Sequence, residues 1–211
     1  MSSARPNAIV VSAPSGSGKS TVLSRVLREL PGLRFSVSHT TRPPRAGEQN
    51  GVDYHFVDHA AFEDIRARGR LLEWAEVHGQ LYGTAHEEYA AAQRDGVDLL
   101  LDLDVQGAAQ VRLKLPEVVT VFILPPSYAD LERRLRGRGQ DDEPAIRRRL
   151  EAAREEMELF ETYDHTLVNE ELESCVADLS AVIRGARSRT RGMREAGRRI
   201  VETFPKANQG G

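Results

Sequence analysis

The chain has 211 residues, of which 40% are hydrophobic and 29% are charged, and its formal net charge at pH 7 is -3. This composition is typical of a globular protein and argues against intrinsic disorder, and the small net charge gives no electrostatic reason to expect nucleic acid or a membrane as a partner. Cys175 is the single cysteine, which excludes an internal disulfide, and no apolar run is long enough to span a bilayer. We therefore expect a cytoplasmic protein.

Apolar segments of strand length alternate along the chain with segments whose apolar residues recur at helical spacing. The first helical pattern covers Lys19 to Leu30, and the last covers Leu172 to Val201. This alternation predicts an α/β fold in three layers, with a mostly parallel central sheet covered by helices on both faces. The four predicted strands are Ala8 to Ala13, Asp98 to Leu103, Val118 to Leu124 and His165 to Asn169.

Two polar stretches interrupt this alternation. The stretch from Ser36 to about Gly96 is too long and too rich in turn formers for a simple connection, so it predicts a functional insertion. The stretch from Leu131 to Ala153 is dense in arginine around Gly137 and Gly139, which favours a mobile lid, with an exposed turn between two helices as the alternative. The expected division is a core of residues 1–36, 97–126 and 165–211, an insertion of residues 37–96 and a lid region of residues 127–164.

The first predicted strand and helix are joined by the segment SAPSGSGKST, residues 12–21. A glycine-rich turn that opens a helix directs several backbone N–H groups at one point, where the helix N-terminus adds partial positive charge, and such a concavity binds phosphate. Lys19 would reach the β- and γ-phosphates of a nucleoside triphosphate, and the Ser20 hydroxyl would be a ligand for Mg²⁺. The predicted ATP-binding residues of this segment are Ala13, Pro14, Ser15, Gly16, Ser17, Gly18, Lys19, Ser20 and Thr21.

Ala13 departs from the phosphate-loop pattern G-x-x-x-x-G-K-[ST], which has glycine at this position. Alanine is harmful there only if the backbone needs a positive φ or if the methyl group meets the ligand. Nothing in the residues requires either at the end of a strand, so a functional loop is compatible with Ala13.

Asp102 and Asp104 follow the apolar run of the second predicted strand. Neighbouring parallel strands end at the same edge of a sheet, so these carboxylates are expected beside the loop. There they could bind Mg²⁺ through water, and the residues do not decide which of the two lies nearer the metal.

Five further motifs occur in the order TTRPPRAGE, GVDYHF, EWAE, YGT and LDLDVQG. Together with the loop they closely resemble the guanylate kinase family, over the chain from about Asn7 to Val201, and alanine at the first loop position is a form associated with its bacterial members. The resemblance implies a P-loop kinase that transfers the γ-phosphoryl group of ATP to GMP, and also to dGMP, in purine nucleotide metabolism. It implies Mg²⁺ as the cofactor.

The resemblance also implies how GMP is bound. Arg42 and Arg45 would clamp its phosphate, because guanidinium groups pair bidentately with phosphate oxygens. Glu73 would accept hydrogen bonds from guanine N1–H and the exocyclic amino group, a donor pattern that adenine lacks. The implied GMP-binding residues are Ser38, Arg42, Arg45, Tyr54, Glu73, Tyr82, Thr84 and Asp104.

The lid arginines implied by the resemblance would stabilise the charge that develops on the transferred group, while closure excludes water. Asn169 is implied to lie beside the adenine base, with a cap of the following helix as the alternative. The residues implied in catalysis are Lys19, Arg42, Arg134, Arg138 and Arg149.

Two other functions are weighed against this one. A protein-interaction module of the same fold typically lacks a competent loop, whereas Lys19 and Ser20 are present here. A kinase with another acceptor would not need Glu73 together with two nearby hydroxyl residues, because only a guanine-like edge uses all three. The run from Arg184 to Arg199 predicts a solvated final helix, with a regulatory or nucleic-acid surface as the alternative.

Overall fold

The computed structural model describes residues 6–77, 79–137 and 142–204. The strands in these ranges are β1 (Ala8–Ser12), β2 (Leu33–Phe35), β3 (His39–Thr40), β4 (His55–Phe56), β5 (Leu71–Val77), β6 (Gln80–Ala85), β7 (Asp98–Asp102), β8 (Val119–Leu124) and β9 (His165–Val168). The helices are α1 (Lys19–Glu29), α2 (His59–Ala67), α3 (His86–Asp95), α4 (Val105–Lys114), α5 (Tyr128–Arg136), α6 (Glu143–Met157), α7 (Leu172–Arg187) and α8 (Thr190–Glu202), and a 3-10 helix covers Phe160–Thr162.

Strand β1 lies at the centre of a five-stranded sheet with the order β2-β7-β1-β8-β9. Val10 pairs with Leu101 of β7 on one side and with Thr120 of β8 on the other, and every strand pair of this sheet is parallel. The predicted parallel sheet is therefore confirmed. The chain leaves β1 for neighbours on opposite sides, so the carboxyl end of β1 lies where open α/β sheets form a crevice for ligands.

Helices cover both faces of this sheet because β1 is apolar at every position but the last and is buried along its whole length. Ile9 and Val11 pack on one face against α1 and α7, through residues such as Leu179. Val10 packs on the other face against α3 and α4, through residues such as Ala92 and Val111. The predicted three-layer α/β/α architecture is confirmed, and α1 is fixed directly behind the strand from which the loop emerges.

A second sheet, with the order β4-β3-β6-β5, lies in the middle of the chain. Its strands β3 and β4 are parallel, and its other pairs are antiparallel. One face of this sheet packs on α2, where Phe62 contacts a small cluster with Leu71 and Leu81. The opposite face carries Tyr82 and Thr84, which alternate along β6 with the small residue Gly83.

The two sheets are joined at β5 and α4. Leu72 of β5 is fully buried in the cluster that also contains Leu99 of β7. The side chain of Gln110 on α4 donates to the Trp74 carbonyl oxygen at 2.6 Å and accepts from the Trp74 N–H at 3.2 Å. These contacts fix the residue between Leu72 and Trp74, which is Glu73, at the boundary between the two sheets.

Two elements differ from the sequence prediction. β2 pairs with β7 at the sheet edge, although its three residues are too few for a recognisable pattern. The sequence predicts one helical segment from Leu172 to Val201, but the structure has two helices there, with a break at Ser188 and Arg189. The prediction of a single continuous segment was therefore wrong. Within the described residues no helix is both long enough and apolar enough to cross a membrane.

An anchoring residue explains where the first of these two helices ends. Arg187, at the end of α7, donates to the buried carboxylate of Asp98 at 2.7 Å and to the carbonyl oxygens of Pro31 and Gly32 at 2.9 and 3.1 Å. The last turn of α7 is therefore tied to the edge of the sheet at β2 and β7.

Candidate active site

The loop between β1 and α1 changes direction at two glycines. Gly16 and Gly18 have φ angles of 95° and 91°, a region that residues with a Cβ rarely adopt. Gly18 is also the N-cap residue of α1, and a glycine has no side chain to occupy the N–H groups of the first helical turn. The Thr21 N–H donates to the Gly18 carbonyl oxygen at 3.1 Å, which leaves the N–H groups of Lys19 and Ser20 available to an anion.

Two side chains from distant parts of the chain form hydrogen bonds with the backbone of the loop. The Asn169 amide donates to the Ser17 carbonyl oxygen at 2.7 Å, and the Arg134 guanidinium donates to the same oxygen at 3.0 Å. Arg134 also donates to the Asn169 carbonyl oxygen at 2.9 Å. The structure thus brings both predicted residues to the loop, where their contacts are with its backbone and with each other.

The two loop glycines are also required by close contacts. A Cβ on Gly18 would lie 2.5 Å from the Asn169 amide nitrogen, and a Cβ on Gly16 would lie 2.9 Å from Leu135 and 3.0 Å from Leu131. Both leucines belong to α5, which the sequence analysis assigns to the lid region. Helix α5 is therefore packed directly on the loop.

Ala13 lies outside this part of the loop. Its side chain packs against the buried cluster between the sheet and the helices α1 and α7, whereas the loop glycines with positive φ are Gly16 and Gly18. The methyl group thus faces the core, and the departure from the glycine pattern places no atom in the phosphate concavity.

Lys19 lies between the loop and the end of β7. Its ammonium group contacts the Asp102 carboxylate and donates to the Leu103 carbonyl oxygen at 3.3 Å. Ser15, Ser20 and Thr21 are exposed. The ammonium group, the Ser20 hydroxyl and the Asp102 carboxylate therefore lie at the same edge of the sheet, as the sequence analysis predicts for parallel strands.

Asp104 occupies a different position from Asp102. It is the N-cap residue of α4, and its Oδ1 accepts a hydrogen bond from the Gly107 N–H at 2.8 Å. A Cβ on Gly107 would lie 3.3 Å from this carboxylate and 2.7 Å from the Glu73 carboxylate. Asp104 and Glu73 thus approach each other across Gly107.

Glu73 is a buried carboxylate, with 4% of its surface exposed. Its Oε1 accepts a hydrogen bond from the Thr84 N–H at 2.7 Å. Burial raises the pKa of Glu73 to about 7, and the nearby Asp104 charge acts in the same direction, while hydrogen bonds from Thr84 act against them. A ligand that donated N–H groups to this carboxylate would favour its charged form.

Two hydroxyl groups lie beside this carboxylate. The Ser38 and Thr84 hydroxyl oxygens are 3.0 Å apart, and Thr84 is directly opposite Glu73 in the pairing of β5 with β6. The predicted guanine-binding residues are therefore together on one face of the second sheet.

The predicted phosphate-binding residues form a second group on this sheet. The Arg42 guanidinium lies 5.4 Å from the centre of the Tyr54 ring, and the Tyr54 and Tyr82 rings are 6.0 Å apart. Arg45 is exposed in the following turn. Tyr82 and Thr84 are two positions apart on β6, which places their side chains about 7 Å apart on the same face. This spacing suits a ligand with a base at one end and a phosphate at the other.

The lid arginines have different positions. Arg134 is bound to the loop, Arg149 is half-buried on α6, and Arg138 lies outside the described residues. The neighbouring Arg133 and Arg136 form ion pairs with acidic side chains, namely Asp130, Glu132 and Glu143, on the exposed surface of the helices.

The sequence analysis missed three residues that shape the site. Glu48 pairs with Arg42, Gly107 leaves room for the Glu73 carboxylate, and Gln110 holds the strand that carries Glu73. Glu48 and Gly107 end two of the motifs quoted above, TTRPPRAGE and LDLDVQG. Two of them carried a signal in the sequence. Glu48 is an acidic residue close to two arginines, and Gly107 is a glycine that follows the acidic helix cap Asp104. Gln110 carried no such signal.

Comparisons with known proteins agree with this geometry. The guanylate kinase family model matches residues 5–186. A guanylate kinase from Neisseria gonorrhoeae is 50% identical over 181 residues, which cover 86% of this chain and 88% of that protein. A guanylate kinase from Nitrosomonas europaea is 48% identical over 184 residues, which cover 86% of this chain and 90% of that protein.

A solved structure extends the likeness to the fold. The crystal structure of guanylate kinase from Anaplasma phagocytophilum matches with a TM-score of 0.80 and 32% identity, over 97% of this chain and 98% of that one. The family match covers most of the chain and includes the loop, both sheets and the helices α5 and α6. The chain therefore belongs to the guanylate kinase family.

Proposed function

We propose that the chain transfers the γ-phosphoryl group of ATP to GMP, and also to dGMP, giving ADP and the nucleoside diphosphate. The observation that carries the proposal is the buried Glu73 carboxylate beside the Ser38 and Thr84 hydroxyls, on the same sheet face as an arginine and two tyrosines. Guanine presents two donors and one acceptor along its pairing edge, so it satisfies the carboxylate and a hydroxyl at once, whereas adenine would leave the buried carboxylate unpaired.

On the donor side, the loop N–H groups would bind the phosphates of ATP. Lys19 would move from its contact with Asp102 towards the β- and γ-phosphates and would neutralise charge as the bond to the leaving group breaks. Asn169 and Arg134 would keep the loop in shape, and contact of Asn169 with the adenine base stays a prediction. Binding of ATP by the nine residues from Ala13 to Thr21 stays a prediction, in which loop N–H groups, the Lys19 ammonium group and the Ser20 hydroxyl make the main contacts.

On the acceptor side, Arg42, Arg45, Tyr54 and Tyr82 would bind the phosphate of GMP. An oxygen of this phosphate is ionised at neutral pH and can attack the γ-phosphorus in line, so no strong general base is needed. The rate would come from positioning and from charge neutralisation. Arg149 and Arg138 would complete the charge neutralisation from the lid.

The oxygen ligands near the loop fit Mg²⁺. The Ser20 hydroxyl and the carboxylates of Asp102 and Asp104 are of the type that this ion prefers, and Mg²⁺ in kinase sites takes most of its other ligands from phosphates and water. Among the described residues, no three acidic, histidine or cysteine side chains form a metal-binding group of their own. Ser20, Asp102 and Asp104 are the residues that would hold Mg²⁺, which when bound would neutralise part of the phosphate charge.

The division of the chain follows from these roles. The core of residues 1–36, 97–126 and 165–211 would hold ATP, the insertion of residues 37–96 would hold GMP, and residues 127–164 would act as the lid. A cytoplasmic location, where both nucleotides are available, fits the single buried cysteine.

The test is ADP formation from Mg-ATP by the purified protein with GMP, dGMP, AMP, UMP and no acceptor, side by side. We expect strong stimulation by GMP and dGMP only. Equal stimulation by AMP would contradict the role of Glu73, and ATP turnover that no acceptor increases would contradict the kinase itself. Binding of ATP without any turnover would favour an interaction module instead.

A further inference from the structure

Glu48 makes the most complete ion pair of the insertion, yet the proposed reaction gives it no role. Its Oε1 accepts from Arg42 Nη2 at 2.8 Å, and its Oε2 accepts from Arg42 Nη1 at 3.0 Å. Its Oε2 also accepts from the Arg45 N–H at 2.6 Å. The two side chains are only 14% and 19% exposed, so this pair is shielded from water far more than the ion pairs on the helix surfaces.

Glu48 occupies only one end of the Arg42 guanidinium, and the Tyr82 hydroxyl also interacts with this group. Glu48 binds the end formed by the two Nη atoms, and the second N–H of Nη1 donates to the Pro43 carbonyl oxygen at 2.8 Å. These bonds do not use Nε–H or the second N–H of Nη2, which lie together on the side edge of the planar group. That edge is a bidentate donor suited to two oxygens of one phosphate.

Aromatic rings hold the same guanidinium from another direction. The Arg42 guanidinium carbon lies 5.4 Å from the centre of the Tyr54 ring and 5.8 Å from that of Phe56. A hydrogen bond with Glu48 raises the pKa of Arg42, and the hydrogen bond from Arg42 lowers the pKa of Glu48, so the pair stays charged. Carboxylate, carbonyl and rings together fix the plane in which Arg42 presents its side edge.

We propose that Glu48 is a positioning residue, which orients the side edge of Arg42 towards the phosphate of GMP. This inference rests on the proposed binding of the GMP phosphate by Arg42. A group already held in the productive orientation loses less conformational freedom when the ligand binds, and small misplacements of such a group are costly for the reaction.

A different role for the same pair predicts the opposite sign. If Glu48 competed with phosphate for Arg42, removal of its charge would free the guanidinium and GMP would bind more tightly. If Glu48 positions Arg42, removal of its charge weakens GMP binding. The direction of the change in GMP affinity therefore decides between the two roles.

The experiment uses Glu48→Gln in the full chain, with Glu63→Gln as the matched control. Glu63 forms a Glu–Arg pair with Arg66 on α2 of the same insertion, away from the predicted ligand contacts. For Glu48→Gln we expect the KM for GMP to rise about tenfold, with little change in the KM for ATP or in kcat. Guanosine, which lacks the phosphate, should bind both variants and the wild type equally.

A double-mutant cycle then tests whether the effect passes through Arg42. In an Arg42→Ala background, Glu48→Gln should leave the affinity for GMP nearly unchanged. Tighter GMP binding in the single variant, an equal loss of guanosine affinity, or the same loss in the Arg42→Ala background would each overturn the proposal. If Glu48→Gln does not fold, Glu48→Asp serves instead, because its shorter carboxylate cannot reach both nitrogens and the Arg45 N–H together.

Failure of this inference can be distinguished from failure of the proposed function. If the wild type does not phosphorylate GMP, the proposed function fails. If the wild type is active and Glu48→Gln matches it in the KM for GMP, only the role of Glu48 fails.

Discussion

The two halves of the active site are built in opposite ways. The proposed ATP side is a continuous segment, residues 12–21, whose backbone is held by hydrogen bonds from the Arg134 and Asn169 side chains and by contact with α5. The GMP side is assembled from residues as far apart as Ser38 and Asp104, and its central carboxylate is buried with a raised pKa. The loop is thus stabilised before any ligand is present, whereas burial of the Glu73 carboxylate disfavours its charged form.

The loop and Glu73 therefore affect the stability of the folded protein in different ways. Positive φ angles and tight glycine contacts make the loop sensitive to any added side chain, and the Arg134 and Asn169 side chains support its backbone. The Glu73 carboxylate instead works against folding at neutral pH, because its burial favours the protonated form. The specificity of the GMP side therefore has a cost in stability.

The largest expected effect is on the ATP side, in Lys19→Ala. We expect kcat to fall by about 100-fold to 1,000-fold, because a preorganised charge that stabilises the transferred phosphoryl group is lost. Steady-state kinetics with saturating GMP measures this fall. Arg28→Ala, an exposed change on the same helix, is the control, and wild-type rates in Lys19→Ala would remove Lys19 from the mechanism.

On the GMP side, Glu73→Gln is expected to lower kcat/KM for GMP by about 100-fold, through the loss of charge-assisted hydrogen bonds to guanine. The same change should stabilise the protein at pH 8 by roughly 1–3 kcal/mol, because a neutral amide keeps the bond to the Thr84 N–H without the buried charge. Chemical denaturation measures the gain. Glu76→Gln, on the exposed face of the same strand, should change neither quantity.

Stability and activity of Glu73→Gln thus have opposite signs, which no simple loss of structure produces. A variant that loses both activity and stability would indicate that Glu73 is mainly structural. Such a result would contradict the conclusion that Glu73 lowers the stability of the protein while it contributes to binding.

The raised pKa of Glu73 predicts that guanosine binding depends on pH, whereas the loop should show no such dependence. Glu73 has a folded pKa of about 7, above its unfolded value, so stability falls as pH rises towards 7, while the carboxylate needed by guanine forms over the same range. The Kd of guanosine should therefore rise about tenfold when pH falls from 8 to 6. Guanosine is the ligand of choice because it has no phosphate that titrates in this range. Titration calorimetry with Glu73→Gln should give a flat profile, and an unchanged Kd in the wild type would contradict the assignment.

The smallest expected effects come from a matched pair of loop substitutions. Gly18→Ala should lower the free energy of unfolding by about 1 kcal/mol, because alanine is strained at this φ and its Cβ meets the Asn169 amide. Ala13→Gly should change it by less than this and should leave the KM for ATP unaltered, because Ala13 packs on the core. A large change in ATP binding for Ala13→Gly would mean that its methyl group does meet the nucleotide.

The strand, loop and helix of the proposed ATP side could be predicted from the sequence because the information for them is local. The strand, the glycines, Lys19 and the helix that follows are contiguous, so periodicity and turn chemistry specify them without knowledge of distant contacts. The GMP-binding residues followed only from a resemblance between motifs, since their roles depend on which strands pair. No local pattern shows that Glu73 lies opposite Thr84, or that Gln110 holds the strand between them and the core.

By itself, the sequence determined the α/β class, the phosphate loop and, through its motifs, the family. The tertiary structure alone decided that Arg134 and Asn169 hold the loop from behind, that Glu73 is buried beside Asp104, and that Glu48 fixes Arg42. The physical reason is that burial and ion pairing depend on what lies within a few ångströms in space. For these residues the neighbours come from other strands, helices and turns, which the local sequence does not specify.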